Sequence, residues 1–215
     1  MLDVAYPLCY TLRMPNHCEN TLLIRGTASR VRDFCRDHYR RPTCWDGGID
    51  ETKTTLDFSF SVPYPDGDRT VLATSSNSGW YDWHCAHWGT KWNAYDVYPE
   101  DFPYILTSIA VQEKSHNFDV RKDVEARYDF STAWSPPTNW LATMCGNYPD
   151  LTFTLRFKEY GMDFMGIQQC SDGLETRQET YGISEELELT NDDDTDWDEV
   201  VTKVEIFLKE CSESA

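Results

Sequence analysis

Basic residues are scarce in this chain, which has 19 lysines and arginines against 37 aspartates and glutamates and a net charge of −18. Binding to nucleic acid or to an anionic membrane surface requires basic contacts, so this composition argues against both. The chain also lacks a run of roughly 18 apolar residues, the length that predicts a membrane span. Its N-terminus has no basic segment followed by an unbroken apolar stretch, so no secretory signal is predicted. We therefore expect a cytoplasmic protein.

The common catalytic and cofactor-binding signatures are also missing. The chain has no nucleophile elbow, no P-loop, no G-x-G-x-x-G after a strand and no H-E-x-x-H. The aspartates from 192 to 198 do not form an EF-hand, because Trp197 stands where the loop needs glycine and Lys203 where it needs glutamate. His84, Cys85 and His87 provide at most three of the four donors that zinc needs. The sequence thus gives no positive indication of a catalytic residue, a metal or a cofactor.

Eight cysteines are spread through the chain, at positions 9, 18, 35, 44, 85, 145, 170 and 211. Disulfide frameworks are typical of small secreted domains that cannot build a sufficient core. A chain of 215 residues with 40% hydrophobic residues can bury a sizeable core without them. We therefore expect reduced thiols, most of them buried.

Apolar and polar residues alternate strictly in four segments, at 22–24, 56–62, 124–130 and 151–158. A period of two with a polar second face is typical of an antiparallel sheet that is covered on one side only. The sequence therefore predicts four strands in a one-sided antiparallel sheet.

Two segments with helical spacing are placed to cover that sheet. Thr27 is a suitable cap for a first helix, and Ser135 followed by two prolines is a suitable start for a second. The predicted apolar stripes are Ala28, Val31, Phe34, Cys35 and His38 in the first helix and Trp140, Leu141, Met144 and Cys145 in the second. The order strand, helix, strand, insertion, strand, helix, strand predicts an α+β fold of the ferredoxin-like split βαβ type.

The chain is predicted to have three parts. Residues 1–13 form an N-terminal extension, residues 14–183 form the ferredoxin-like domain with an insertion at about 63–118, and residues 184–215 form an acidic helical segment. This last segment has 12 acidic and two basic residues. It also has an apolar stripe, which predicts that its helix docks on the domain. The stripe comprises Val200, Val201, Val204, Phe207 and Leu208.

The segment SGWYDWHCAHWGTKW at 78–92 contains four of the eight tryptophans and is the strongest candidate for a binding site. Large aromatic side chains bury 150–250 Å² each, so this density indicates either a recess or a packed lid. In a recess, Trp88 and Trp92 would stack on a planar ligand and Lys91 would bind an anion. In a lid, the tryptophans would cover the sheet and Lys91 would pair with Asp96 or Glu159.

Four stretches resemble the YubB ferredoxin-like family of phage, prophage and plasmid proteins. They are MPNHCENTLLIRG at 14–26, HWGTKWNAYD at 87–96, TAWSPP at 132–137 and FKEYGMDFMG at 157–166. The resemblance implies a ferredoxin-like fold and a mobile genetic element as the source, and it implies no catalysed reaction. The residues that match the signature stretch of the family are His87, Trp88, Gly89, Thr90, Lys91, Trp92 and Asp96.

The acidity suggests one functional class that suits a mobile element. A chain of this size is roughly 40 Å wide, and the same length of duplex DNA carries roughly 24 charges. The leading hypothesis is a DNA mimic of the anti-CRISPR or anti-restriction type, which inhibits a basic nucleic-acid-handling protein of the host cell. The candidate contacts on that partner are Asp192, Asp193, Asp194, Asp196, Asp198 and Glu199.

Two other functions stay open. The first is binding or processing of a nucleotide-like small molecule, with His87, Trp88, Thr90, Lys91, Trp92 and Asp96 as the site residues. The second is an accessory role in the element without any part in defence, in which the acidity serves solubility alone.

Overall fold

The computed structural model of this chain describes residues 16–40, 55–65, 79–98, 121–189 and 196–214. The predicted extension at 1–13 and the three aspartates at 192–194 lie outside these ranges. No helix within them is both long and apolar enough to cross a membrane. The strands are β1 His17–Thr27, β2 Tyr39–Arg40, β3 Thr55–Leu56, β4 Tyr95–Tyr98, β5 Asp123–Ala133, β6 Thr152–Glu159, β7 Phe164–Ser171 and β8 Leu174–Gly182. The helices are α1 Ala28–His38, α2 Phe58–Ser61, α3 Gly79–His87, α4 Thr138–Asn147, α5 Ile183–Glu186 and α6 Trp197–Glu213.

Six strands form one antiparallel sheet in the order β4-β5-β1-β6-β7-β8. β1, β4, β5 and β6 are the four strands of the split βαβ unit, with α1 after the first and α4 after the third. β7 and β8 extend the sheet beyond β6 as consecutive hairpins. The predicted α+β ferredoxin-like fold is therefore confirmed.

α1 and α4 cover one face of the sheet, and their buried stripes are the two that helical spacing predicts. Thr27 lies at the N-cap of α1, but its side chain makes no capping bond. The backbone N–H of Ala28 instead donates to the carbonyl of Lys122 at 3.0 Å. A tertiary contact thus satisfies a donor that a cap would otherwise have to satisfy.

The strand predicted at 56–62 is wrong. β3 ends at Leu56, and Phe58–Ser61 form the short helix α2. The carboxylate of Asp57 accepts the backbone N–H of Ser59 at 2.9 Å, a local bond that competes with strand pairing. Phe58 then packs against Trp140, with ring centroids 4.6 Å apart. The second strand of the split βαβ unit is β4, which lies at the end of the HWGTKWNAYD stretch.

The prediction of a sheet covered on one side only is wrong at the β7 end. α6 packs on the second face, where Met165 of β7 is fully buried in a cluster with Ile183 and α6. α6 contributes Val200, Val204 and Leu208 to this cluster. Val201, which the stripe includes, points outward with 39% of its surface exposed. The sheet pattern could not show this cover, because β7 is buried on both faces and does not alternate.

Polar contacts hold α6 in place as well. The guanidinium of Arg177 donates to the carbonyl of Cys211 at 2.6 Å, and the amide of Gln169 donates to the carbonyl of Ser212 at 3.2 Å. These side chains from β8 and β7 satisfy carbonyls that the last turn of a helix leaves without an intrahelical partner. The acidic segment from Trp197 onward is therefore a fixed part of the domain.

Cys145 and Cys170 form a disulfide between α4 and β7, with Cα atoms 6.0 Å apart. The prediction that the cysteines are reduced is wrong for this pair. Cys18 and Cys35 are free thiols in the core, and burial raises the pKa of each to about 12. The spacing of cysteines along the sequence cannot show which two meet in the fold.

His38 makes the stability of the fold depend on pH. Its ring is buried, with Nδ1 2.8 Å from the Phe34 carbonyl and Nε2 2.5 Å from the hydroxyl of Ser61. Burial lowers the pKa of His38 despite the opposing effects of that carbonyl and the carboxylates of Asp37 and Asp57. The unfolded chain therefore binds the proton more readily, so stability decreases as the pH falls below about 6.5.

We expect this residue to contribute a slope of up to about 1.4 kcal/mol per pH unit to the unfolding free energy. Urea denaturation between pH 7.5 and 5.5 measures it. The slope should decrease in His38→Gln, which replaces the buried imidazole by a neutral amide. An undiminished slope in His38→Gln would show that other groups cause the pH dependence.

Candidate functional site

The inner half of the WGTKW segment belongs to the core. Trp88 is 3% exposed, its indole N–H donates to the carbonyl of Val62 at 2.9 Å, and its ring stacks on His84 at 3.9 Å between centroids. Thr90 is fully buried and donates its hydroxyl to the carbonyl of Ala133 at 3.0 Å. Trp88 therefore packs against α2 and α3, and Thr90 fixes the segment to the end of β5.

The WGTKW and TAWSPP stretches contact each other closely and share a hydrogen bond. The hydroxyl of Ser135 donates to the carbonyl of Gly89 at 2.7 Å. Gly89 has a φ of +88°, and a Cβ there would lie 3.0 Å from both the Pro136 carbonyl oxygen and the Thr138 nitrogen. Glycine is required at 89 for both reasons. Trp134 also has a positive φ, of 74°, and its backbone N–H donates to the carbonyl of Asn16 at 3.0 Å.

The outer half of the segment forms an exposed aromatic patch, which consists of Tyr81, Lys91 and Trp92. Tyr81 and Trp92 are 43% and 38% exposed, and the Lys91 ammonium lies 5.9 Å and 5.0 Å from their ring centroids. Cation–π attraction explains the position of Lys91. Glu159, considered as its partner, is buried and accepts the backbone N–H groups of Gly161 and Met162.

The structure therefore separates the six predicted site residues. Trp88 cannot stack on a planar ligand with the face that His84 covers. His87 is exposed and stacks on Trp83, with centroids 4.2 Å apart. Asp96 is exposed and lines a groove that Lys91 and Trp92 do not line. The sequence predicts one recess, whereas the residues contribute to a core, a surface patch and a separate groove.

The predicted acidic contacts that the structure describes lie at the start of α6. Asp196 caps the helix, since its carboxylate accepts the backbone N–H groups of Asp198 and Glu199 at 3.1 and 3.3 Å. Glu199 also pairs with Lys203 at 2.8 Å. Acidic residues at this end stabilise a helix through its dipole, so these three have a local structural role in addition to any contact. Asp192, Asp193 and Asp194 lie outside the described residues.

A larger acidic surface surrounds them, which sequence reasoning identified only as a charged segment. α5 and α6 share one apolar cluster through Ile183 and Val204, so their exposed carboxylates lie on neighbouring elements. From Asp198 to Glu213, α6 extends about 22 Å at a rise of 1.5 Å per residue. We define the acidic surface as the exposed residues Glu185, Glu186, Glu188, Asp196, Asp198, Glu199, Glu210 and Glu213.

The α5 part of the acidic surface and the aromatic patch lie at opposite edges of the sheet. The aromatic patch flanks β4 at one edge, and α5 follows β8 at the other. Five strand spacings of about 4.8 Å separate these edges by about 24 Å. A single small interface cannot contain both.

Comparison with a family model supports the ferredoxin-like fold over part of the chain. Residues 114–200 match the family model described as a ferredoxin-like domain in Api92-like protein. Among solved structures, the chain is similar to the protein api92 from Yersinia pseudotuberculosis, at 10% identity and a TM-score of 0.47, over 79% of this chain and 99% of that one. No curated protein matches at a significant level. The family description names a fold and no activity.

Proposed function

We propose that this chain is an acidic binding protein of a phage or plasmid. As an inhibitor of the anti-CRISPR or anti-restriction type, it would block a host defence component. It would do so by occupying a basic nucleic-acid-binding surface with its acidic surface. The observation that carries this proposal is that the acidic helix α6 is fixed to the sheet. Val204 and Leu208 anchor it by apolar burial, and Arg177 holds its last turn.

A fixed array of charges supports mimicry better than a mobile tail does. A partner that binds DNA presents cations at defined positions, so preorganised carboxylates lose little conformational freedom on binding. A tail that serves only solubility needs no defined geometry.

Two of the charges are placed against local stability. Glu210 and Glu213 lie in the last turn of α6, where the helix dipole disfavours acidic residues, and that turn contains no basic residue. Each such placement costs typically about 0.3–1 kcal/mol. A partner that requires negative charge at this end explains the placement, and solubility alone does not.

The resemblance to YubB proteins supports a mobile genetic element as the source. Two of the four stretches that carry it, HWGTKWNAYD and TAWSPP, are joined by the hydrogen bond from Ser135 to Gly89. In this proposal the two stretches maintain the fold, and the acidic surface makes the contact. A nucleotide-like ligand has less support, because Trp88 and Thr90 are engaged in the core.

The test compares two double variants, each of which removes two negative charges. Glu210→Gln with Glu213→Gln alters the acidic surface, whereas Asp82→Asn with Asp123→Asn removes two exposed charges on other elements. We expect tagged wild-type protein to recover from host lysate a basic protein that handles nucleic acid and is lost at high salt. With that protein purified, the first variant should bind about tenfold more weakly, or roughly 0.7 kcal/mol for each charge. Its salt dependence should also be smaller.

The control pair should bind like the wild type. Equal weakening by both pairs would show that net charge alone matters, and salt-independent binding would contradict mimicry. Urea denaturation distinguishes these outcomes from unfolding, because removal of Glu210 and Glu213 should leave α6 at least as stable as before.

A further inference from the structure

The second face of the sheet, on which α6 packs, contains a groove that the proposed function does not use. β1, β5 and β6 form its floor, and Glu205 and Leu208 of α6 form one wall. Its volume is about 210 Å³. Pockets for drug-sized ligands measure about 300–1,000 Å³, so this groove suits a smaller group.

Two of the three cations on the groove floor are already neutralised. Lys158 is 7% exposed and pairs with Glu205, and its ammonium lies 3.4 Å from a carboxylate oxygen of Glu19. Arg127 donates two hydrogen bonds to Asp129, each at 2.8 Å. All three carboxylate partners belong to the groove itself.

Arg156 is the exception. It lies on the same face of β6 as Lys158 and opposite Thr21 of β1, whose hydroxyl donates to Asp129 at 2.6 Å. Among the residues that the structure describes, its guanidinium forms no hydrogen bond or ion pair, and its Nε is shielded from solvent. An enclosed N–H without a partner is unfavourable, because it has lost the bond that water would supply.

We propose that Arg156 binds a small oxyanion, a carboxylate or a phosphate group, in this groove. The guanidinium presents a planar fork of donors that matches either oxyanion in a bidentate arrangement. The anion would satisfy Nε and pair with the one floor cation that makes no ion pair within the described part of the chain, against the repulsion of Asp96, which also lines the groove.

The test titrates the purified full-length protein separately with inorganic phosphate and with acetate, at constant ionic strength set with sodium chloride. Backbone amide shifts in NMR spectra report binding. We expect a saturable response at residues lining the groove, such as Thr21, at millimolar anion. Arg156→Gln should bind at least tenfold more weakly. Arg156→Lys keeps the charge and loses the planar fork of donors. Its affinity for the anion should lie between those of the wild type and Arg156→Gln.

The matched control is Arg25→Gln on the same face, since Arg25 is 67% exposed and already pairs with Glu125 at 2.5 Å. It should bind like the wild type. A response to phosphate alone or to acetate alone would identify the oxyanion. No saturable response to either, or equal weakening by the Arg156 and Arg25 variants, would overturn the proposal. If Arg156→Gln fails to fold, undiminished binding by Arg156→Lys would overturn the bidentate arrangement.

Discussion

Trp88→Ala should lower the free energy of unfolding by about 3–5 kcal/mol, whereas Trp92→Ala should lower it by less than about 1 kcal/mol. The first change removes a side chain that is 3% exposed, leaving a cavity between His84 and Phe58. It also deprives the Val62 carbonyl of the indole donor at 2.9 Å. The second change removes a ring that is 38% exposed and contacts Tyr95 edge-on at 6.2 Å.

Urea denaturation of the two variants and the wild type measures both values. The comparison also distinguishes two roles for the tryptophans of the signature stretch, packing in the core and binding at the surface. A large loss for Trp88→Ala with a small one for Trp92→Ala assigns the first tryptophan to the core and leaves the second available at the surface. Similar small losses would contradict the packing described for Trp88 and restore the recess as the better explanation.

Cys145→Ala with Cys170→Ala should lower the unfolding free energy by about 3–4 kcal/mol under oxidising conditions. The disulfide joins residues 25 positions apart, and a loop of this length gives roughly that value in the chain-entropy account. It links the end of α4 to β7, so its loss also weakens the attachment of the added hairpin to the split βαβ unit.

The matched control is Cys85→Ala with Cys211→Ala, two free and partly buried thiols whose loss should change stability little. Peptide mapping after alkylation of the unfolded, unreduced wild-type protein should find Cys145 and Cys170 unmodified, and both should be modified after reduction. Modification of both in the unreduced sample would contradict the disulfide and restore the prediction of reduced thiols for this pair. If the Cys145→Ala, Cys170→Ala variant were as stable as the oxidised wild-type protein, the stabilising role of the disulfide would be contradicted.

The sequence by itself determined the elements whose periodicity reports burial directly. The stripe of α1 and that of α4 were both predicted residue by residue, because one face of each helix packs on one face of the sheet. β5 and β6 alternate for the same reason. Alternation misled at 56–62, because the capping bond of Asp57 and the packing of Phe58 favour a helical turn there.

Only the tertiary structure decided which distant segments of the chain contact one another. β7 is buried on both faces, so its sequence could not show that α6 covers the second face of the sheet. The bond between Cys145 and Cys170 depends on how α4 sits against β7, which spacing does not encode. The groove around Arg156 likewise forms where β6 and α6 meet, although the two elements are far apart in the chain. Local patterns report which side of an element is buried, and the choice of neighbours is made by packing of the whole chain.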